Sequence, residues 1–194
     1  MSGPGRVGVL GGAFDPPHIG HLILAQEAWW RLGLDRMLLV PVGTPVDRPA
    51  PRFDAELRVR MVEAAVAGHP GLACSRAEVD REGPSYTADT LELIAAEHPG
   101  AELWFMVGAD RLEGLTGWHD ADRLLRLARV AVVPRAGFPV ERLREIGARV
   151  APGRVDVLEA PEIAVSSTMV RRRLEEGAPV RYLVPPGVEE LLGG

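Results

Sequence analysis

The sequence predicts a doubly wound α/β fold, a parallel sheet covered by helices on both faces. Three observations predict it. Short, near-continuous apolar runs recur along the chain, as strands buried on both faces require. Longer segments with helical periodicity lie between them. The two kinds alternate, and strand–helix alternation builds a parallel sheet through right-handed crossovers.

The elements follow in order. Residues 7–10 form the first strand, and 21–31 a helix stopped by Gly33, since glycine ends helices in the left-handed region. Strand 37–42 leads into 43–53, a loop by its three prolines. Helix 55–67 ends before Gly68, and 72–79 reads as a weaker strand. The polar stretch 81–85, with Gly83 and Pro84, is a loop before helix 87–97. Strand 103–107 is the most apolar; helix 121–128, strand 130–133, helix 140–146 and a further strand, 155–158, come next. Helix 167–176 stops at Gly177, and 188–192 is a last helix. There is no repeat, low-complexity tract or linker, so one domain over 1–194 is expected, its C-terminal helical part starting about residue 165.

Composition narrows the chemistry. The 194 residues are 46% hydrophobic and 25% charged, an ordinary globular balance. A net charge of −5 offers no bulk field for nucleic acid or a membrane surface. All 22 basic residues are arginine, which excludes Schiff-base chemistry, lysyl-nucleotide intermediates and a Walker A loop. The single cysteine, Cys74, leaves no intramolecular disulfide or cysteine metal cluster. The N-terminus reads as a first strand and not a signal peptide, and no apolar run spans a membrane. A soluble, cytoplasmic protein is expected. The sequence does not set its oligomeric state.

In parallel sheets ligands sit outside the carboxyl ends of the strands. That rule singles out residues 11–21, 43–53, 108–118, 134–137 and 164–171, where the unusual residues concentrate. Gly11 and Gly12 let the backbone approach a ligand closely. His18 and His21, three apart at the start of a helix, share one side of it. The helix N-terminus beside them offers N–H donors and positive potential, which suits phosphate. A surface histidine or a capping aspartate explains any one of these residues, but not their convergence at a ligand edge. The spacing is not G-x-G-x-x-G, so no dinucleotide fingerprint is present.

His18-Ile19-Gly20-His21 resembles the H-x-G-H motif of the nucleotidylyltransferase superfamily, and residues 11–21 resemble bacterial nicotinate-nucleotide adenylyltransferases. The likeness continues through the S-Y-T-x-D-T-L segment at 85–91, the strand, G-A-D turn and tryptophan of 105–118, the I-S-S-T-x-x-R signature at 165–171 and the Y-L-V-P at 182–185. The resemblance implies a Rossmann-like domain that joins nicotinate mononucleotide to ATP, giving nicotinate adenine dinucleotide and pyrophosphate. It assigns His18, His21 and Arg171 to catalysis. It places ATP on those three with Gly11, Gly12, Phe14, Gly108, Asp110, Ser166, Ser167 and Thr168, and the mononucleotide on Ala13, Arg48, Tyr86, Thr87, Trp118 and Arg135. Magnesium is expected with ATP, and the sequence names no metal ligand.

On the residues alone, blander readings stand beside these. Ser166–Thr168 caps a helix, and Arg171, Arg172 and Arg173 form a solvated run. Asp110 either caps a helix or accepts from ribose hydroxyls, and Thr87 is an N-cap candidate. Trp118 lies outside any regular pattern, whereas Trp29, Trp30 and Trp104 read as packing and His69, His98 and His119 as surface residues. One departure from the family is plain: Asp47 and Arg48 stand where it has histidine and lysine. An acid beside triphosphate is unfavourable, so Asp47 points away, helps hold magnesium, or marks a loop that works differently. The alternatives are a nicotinamide mononucleotide or phosphopantetheine transferase of the same fold and, from another class, a nucleotide-binding regulator without turnover.

Overall fold

The computed structural model describes residues 5–46, 48–135 and 137–193. Among the described residues six strands and eight α-helices run in the order β1 (Arg6–Gly12), α1 (Ile19–Arg31), β2 (Arg36–Pro41), α2 (Ala55–Val66), β3 (Leu72–Cys74), α3 (Thr87–Glu97), β4 (Glu102–Val107), α4 (Ala109–Leu112), α5 (Ala121–Leu127), β5 (Ala128–Val132), α6 (Val140–Val150), β6 (Val155–Val157), α7 (Ser167–Glu175) and α8 (Pro186–Leu191), with a 3-10 turn at Leu115–Gly117. The strand order is β3-β2-β1-β4-β5-β6, and every pairing is parallel. This is the predicted doubly wound, Rossmann-like sheet. The order reverses between β1 and β4, which pair with Val9 opposite Phe105. A crevice opens at such a switch point.

Successive side chains of a strand point to opposite faces, and both faces here are apolar. Val7, Val9, Leu38, Val40, Phe105, Val107, Val130 and Val132 pack against Leu91 and Ile94 of α3, Leu124 of α5 and Leu143 of α6. Leu10, Met37, Leu39, Trp104, Met106 and Ala131 face α1 and α2 through Ala25, Ala28, Val62 and Val66. A smaller core of Met61, Val170, Val180, Val184 and Val188 fastens α7 and α8 onto α2. Asp54 caps α2 by accepting from Leu57 N at 2.8 Å, and Ser166 caps α7 by accepting from Met169 N at 3.2 Å.

Several elements differ from expectation for visible reasons. β3 ends at Cys74 because residues 76–80 turn back on themselves: Val79 N and Asp80 N donate to Arg76 O, and the Arg76 guanidinium pairs with Glu56 and Asp80. α6 runs to Val150, past 146, because Gly147 is a contact residue and not a stop; a Cβ there would lie 2.9 Å from Val155 Cβ. Trp30 is 66% exposed, with the Arg31 guanidinium over its ring, and so is no packing residue. Helix neighbours lie about 100° apart, and α1 turns Ala25 and Ala28 to the sheet. His69 is no bystander either: its Nδ1 accepts from Gly71 N and Leu72 N, both at 3.1 Å, and starts β3. No helix among the described residues is long and apolar enough to cross a membrane.

Candidate active site

A cavity of about 920 Å³ opens at the carboxyl ends of β1, β2, β4 and β5, walled by the segments the sequence singled out. That volume falls in the range of ligand pockets, about 300–1,000 Å³. Its centre is the turn after β1. His18 is the N-cap of α1, with extended backbone at φ −140° and ψ 170°. Its N–H donates to His21 Nδ1 at 3.2 Å, and the two rings lie 3.8 Å apart. Because His21 Nδ1 accepts, a neutral His21 carries its proton on Nε2. Gly20 leaves room for the His18 ring, since a Cβ there would sit 3.1 Å from it. Phe14, at φ 47° and almost wholly buried, backs His21 edge-on at 4.9 Å. The first N–H of α1 is already committed, because Ile19 N donates to Leu183 O at 3.0 Å. The Y-L-V-P segment thus caps the helix that carries the histidines.

Burial lowers the His18 imidazole to about 4, and burial together with His18 lowers His21 to about 3. Both are neutral at pH 7. Unfolded histidine takes up its proton near 6.5, while the folded pair stays unprotonated until pH nears these lowered values. Their contribution to stability is therefore complete above pH 6.5 and falls as pH drops from there toward 4 for His18 and toward 3 for His21. In an NMR titration of the free protein, the His18 and His21 ring signals are expected to hold neutral positions down to about pH 5. A midpoint near 6.5 for either would contradict the desolvated pair.

Asp15 is the joint that sequence reasoning misses. Only 5% exposed, its carboxylate accepts from Arg52 N at 2.9 Å and Phe53 N at 2.8 Å, and pairs with Arg171 Nη1 at 3.1 Å. Arg171 also donates to Asp15 O and to Thr168 Oγ1, and Ser167 Oγ donates to Pro16 O at 2.8 Å. The start of α7 is thereby fixed to the turn after β1, with Ser167, Thr168 and Arg171 on the cavity wall. Ser166 is not among the wall residues; its hydroxyl is spent on capping α7. An aspartate near a helix start reads as a cap, and the partners of Asp15 lie 37 to 156 positions away, so only the fold exposes this role.

Arg58 escapes sequence reasoning too. It is 2% exposed in α2, and its guanidinium donates to Phe53 O, Ala13 O and Val42 O at 3.1, 3.0 and 2.8 Å. One planar fork, which lysine lacks, thus fixes the turn after β1, the turn after β2 and the end of loop 43–53. A signal exists, for Arg58 falls on the same helical stripe as buried Met61 and Val62.

The other predicted residues divide. Gly11, Gly12, Ala13, Phe14, Arg48, Thr87, Gly108, Asp110, Trp118 and Arg135 all line the cavity. Asp110 and Arg135, assigned to ATP and mononucleotide, face each other as an ion pair at 3.1 Å. Gly108 is the N-cap of α4, so Asp110 sits in its first turn and does not cap it. Trp118 packs edge-on against Phe105, with the Arg111 guanidinium 5.1 Å from its ring centroid. Tyr86 departs from expectation: its ring stacks on His119 at 4.0 Å and it is not among the wall residues. Tyr86, not Thr87, is the N-cap of α3. Asp47 lies outside the described residues.

A family model described as cytidylyltransferase-like matches residues 9–173. A "Probable nicotinate-nucleotide adenylyltransferase" of Synechococcus sp. (strain JA-3-3Ab) is 40% identical over 190 residues, covering 96% of this chain and 91% of its own. A protein of the same name from Thermus thermophilus is 44% identical over 184 residues, covering 95% and 94%. A solved structure of Plasmodium falciparum nicotinic acid mononucleotide adenylyltransferase, complexed with NaAD, shares the fold at a TM-score of 0.76 and 15% identity, covering 97% of this chain and 94% of its own.

Proposed function

The chain belongs to the nicotinate-nucleotide adenylyltransferase family, within the cytidylyltransferase-like proteins, and from that premise we propose that it transfers the adenylyl group of ATP to nicotinate mononucleotide. The observation that carries this reading is the neutral histidine pair on the N-terminus of α1, opening on the cavity at the switch point. In the reaction a phosphate oxygen of the mononucleotide attacks the α-phosphorus of ATP. One P–O bond forms, the bond to the β-phosphate oxygen breaks, and pyrophosphate leaves with that bond's electron pair.

The attacking group is already an anion, so the protein need supply no nucleophile. Its work is alignment and charge stabilisation. His21 presents its Nε2–H to the phosphates, and His18 lies beside it. The N-terminus of α7 and Arg171 meet the triphosphate from the other side, with Asp15 holding the guanidinium in place. Gly11, Gly12 and Gly108 allow backbone to approach the nucleotide, and Asp110 accepts from its ribose. Trp118 offers an aromatic face to the pyridine ring. Thr87 receives the acceptor's carboxylate, and Arg48 and Arg135 supply positive charge near its phosphate.

Magnesium enters with ATP, and when bound it neutralises charge on the phosphate oxygens. Among the described residues no group of three or more His, Cys, Asp or Glu could hold a metal ion. Asp15 and Asp110 are already engaged by arginines. Magnesium would be held chiefly by phosphate oxygens and water, with one or two carboxylates at most. Incubation with ATP and nicotinate mononucleotide is expected to give nicotinate adenine dinucleotide and pyrophosphate in equal amounts. A chain that binds ATP and forms no dinucleotide is a regulator and not an enzyme.

A further inference from the structure

Glu78 lies in the turn after β3, between the two loops on the acceptor side of the cavity. It is 8% exposed and lines the cavity beside Ser85, Thr87 and Thr90. Thr90 Oγ1 donates to its Oε1 at 2.8 Å, and Thr90 is itself only 2% exposed. Burial raises its carboxyl, while donors from Thr90, Ser85 and the Gly43 N–H draw it back down. Around it the loops are stitched together: Ser85 N donates to Thr44 O at 2.8 Å, and Thr44 N donates to Ser85 Oγ at 3.1 Å. Gly43 passes so close that a Cβ there would lie 2.1 Å from Glu78 O. A buried carboxylate is costly unless several donors satisfy it, and these donors come from two separate loops and from α3.

We propose that Glu78 is a positioning residue for the acceptor half of the site: by gathering Gly43, Ser85 and Thr90, its carboxylate fixes where the Ser85–Thr87 turn meets the acceptor mononucleotide. The proposal rests on the adenylyl-transfer reading. It adds a split between the two substrates, because Ser85 and Thr90 flank Thr87, which that reading gives to the acceptor's carboxylate.

The test is steady-state kinetics of Glu78→Ala and Glu78→Gln, varying each substrate in turn. Glu78→Ala is expected to raise KM for nicotinate mononucleotide about tenfold or more, while KM for ATP moves by less than about twofold. Glu78→Gln keeps one acceptor oxygen and is expected to fall between Glu78→Ala and wild type. Thr90→Val removes one of the gathered donors at similar size. It should shift the same KM in the same direction, and it decides the matter if Glu78→Ala does not fold. A merely structural role would raise both KM values together and gain nothing from glutamine. Equal changes for both substrates, or none, overturn the proposal. Wild-type protein that makes no dinucleotide overturns the adenylyl-transfer reading and this proposal with it, whereas an active wild type with an unaltered Glu78→Ala overturns this proposal alone.

Discussion

His21→Ala is expected to lose about 10²–10³-fold in turnover, the usual loss when one preorganised donor to a developing anion is removed. The expectation comes from the shape of the site. His21 Nδ1 is held by the His18 N–H, so its Nε2–H is the donor left for a ligand. Phe14 holds the ring edge-on, and neutrality at pH 7 means that no counter-charge must be stripped before phosphate binds. Folding should survive, because alanine is the best helix former and His18 N loses only one hydrogen bond, about 1 kcal/mol. The mutant's circular dichroism should therefore match wild type while dinucleotide formation collapses. Retention of more than about a third of wild-type turnover would remove His21 from the chemistry, since such a loss is far below that of a single donor.

The second large effect concerns stability. Arg58→Met leaves the carbonyls of Phe53, Ala13 and Val42 without their donor in a buried place. Each orphaned group costs about 1–3 kcal/mol. Removing a buried charge offsets part of this, for burial already lowers the Arg58 guanidinium against the pull of Asp15, Asp54 and Glu78. A net loss of about 3 kcal/mol and a fall in Tm of roughly 6–12 °C are expected. Because Ala13 and Val42 line the cavity, substrate affinity should fall with stability. Arg60→Met, two residues along the same helix but exposed, is the control and should stay within about 0.5 kcal/mol of wild type. If the two variants melted together, Arg58 would be an ordinary helix residue.

What can be read without coordinates follows from how each signal is written in the chain. β1, β2, β4 and β5 are legible because burial on both faces makes them apolar throughout. The sequence overextends β3 because Val79 continues its apolar pattern, while the ion pairs that turn the chain at Arg76 are not patterned. The histidine pair and α7 are legible because local spacing puts the relevant atoms together. Asp15 and Glu78 are not, and of Arg58 only the burial is, through its helical stripe, because the partners of all three are backbone groups or side chains of other segments, which carry no residue-type signature. Tyr86 misleads for a related reason. A motif names residues that matter, but the fold decides that Tyr86 turns to His119 while Ser85 and Thr87 keep the wall. The absence of lysine has a structural counterpart in Arg58, where one guanidinium reaches three carbonyls that an ammonium, a compact point charge, would not span in a fixed plane.

The most direct measurement is pyrophosphate release from ATP with nicotinate mononucleotide, nicotinamide mononucleotide and phosphopantetheine offered in parallel. A cavity with Trp118 on one wall and the Ser85–Thr87 turn on another predicts release with the pyridine nucleotides, fastest with the nicotinate form, and none with phosphopantetheine. Release driven by phosphopantetheine, or none with any acceptor, would contradict it.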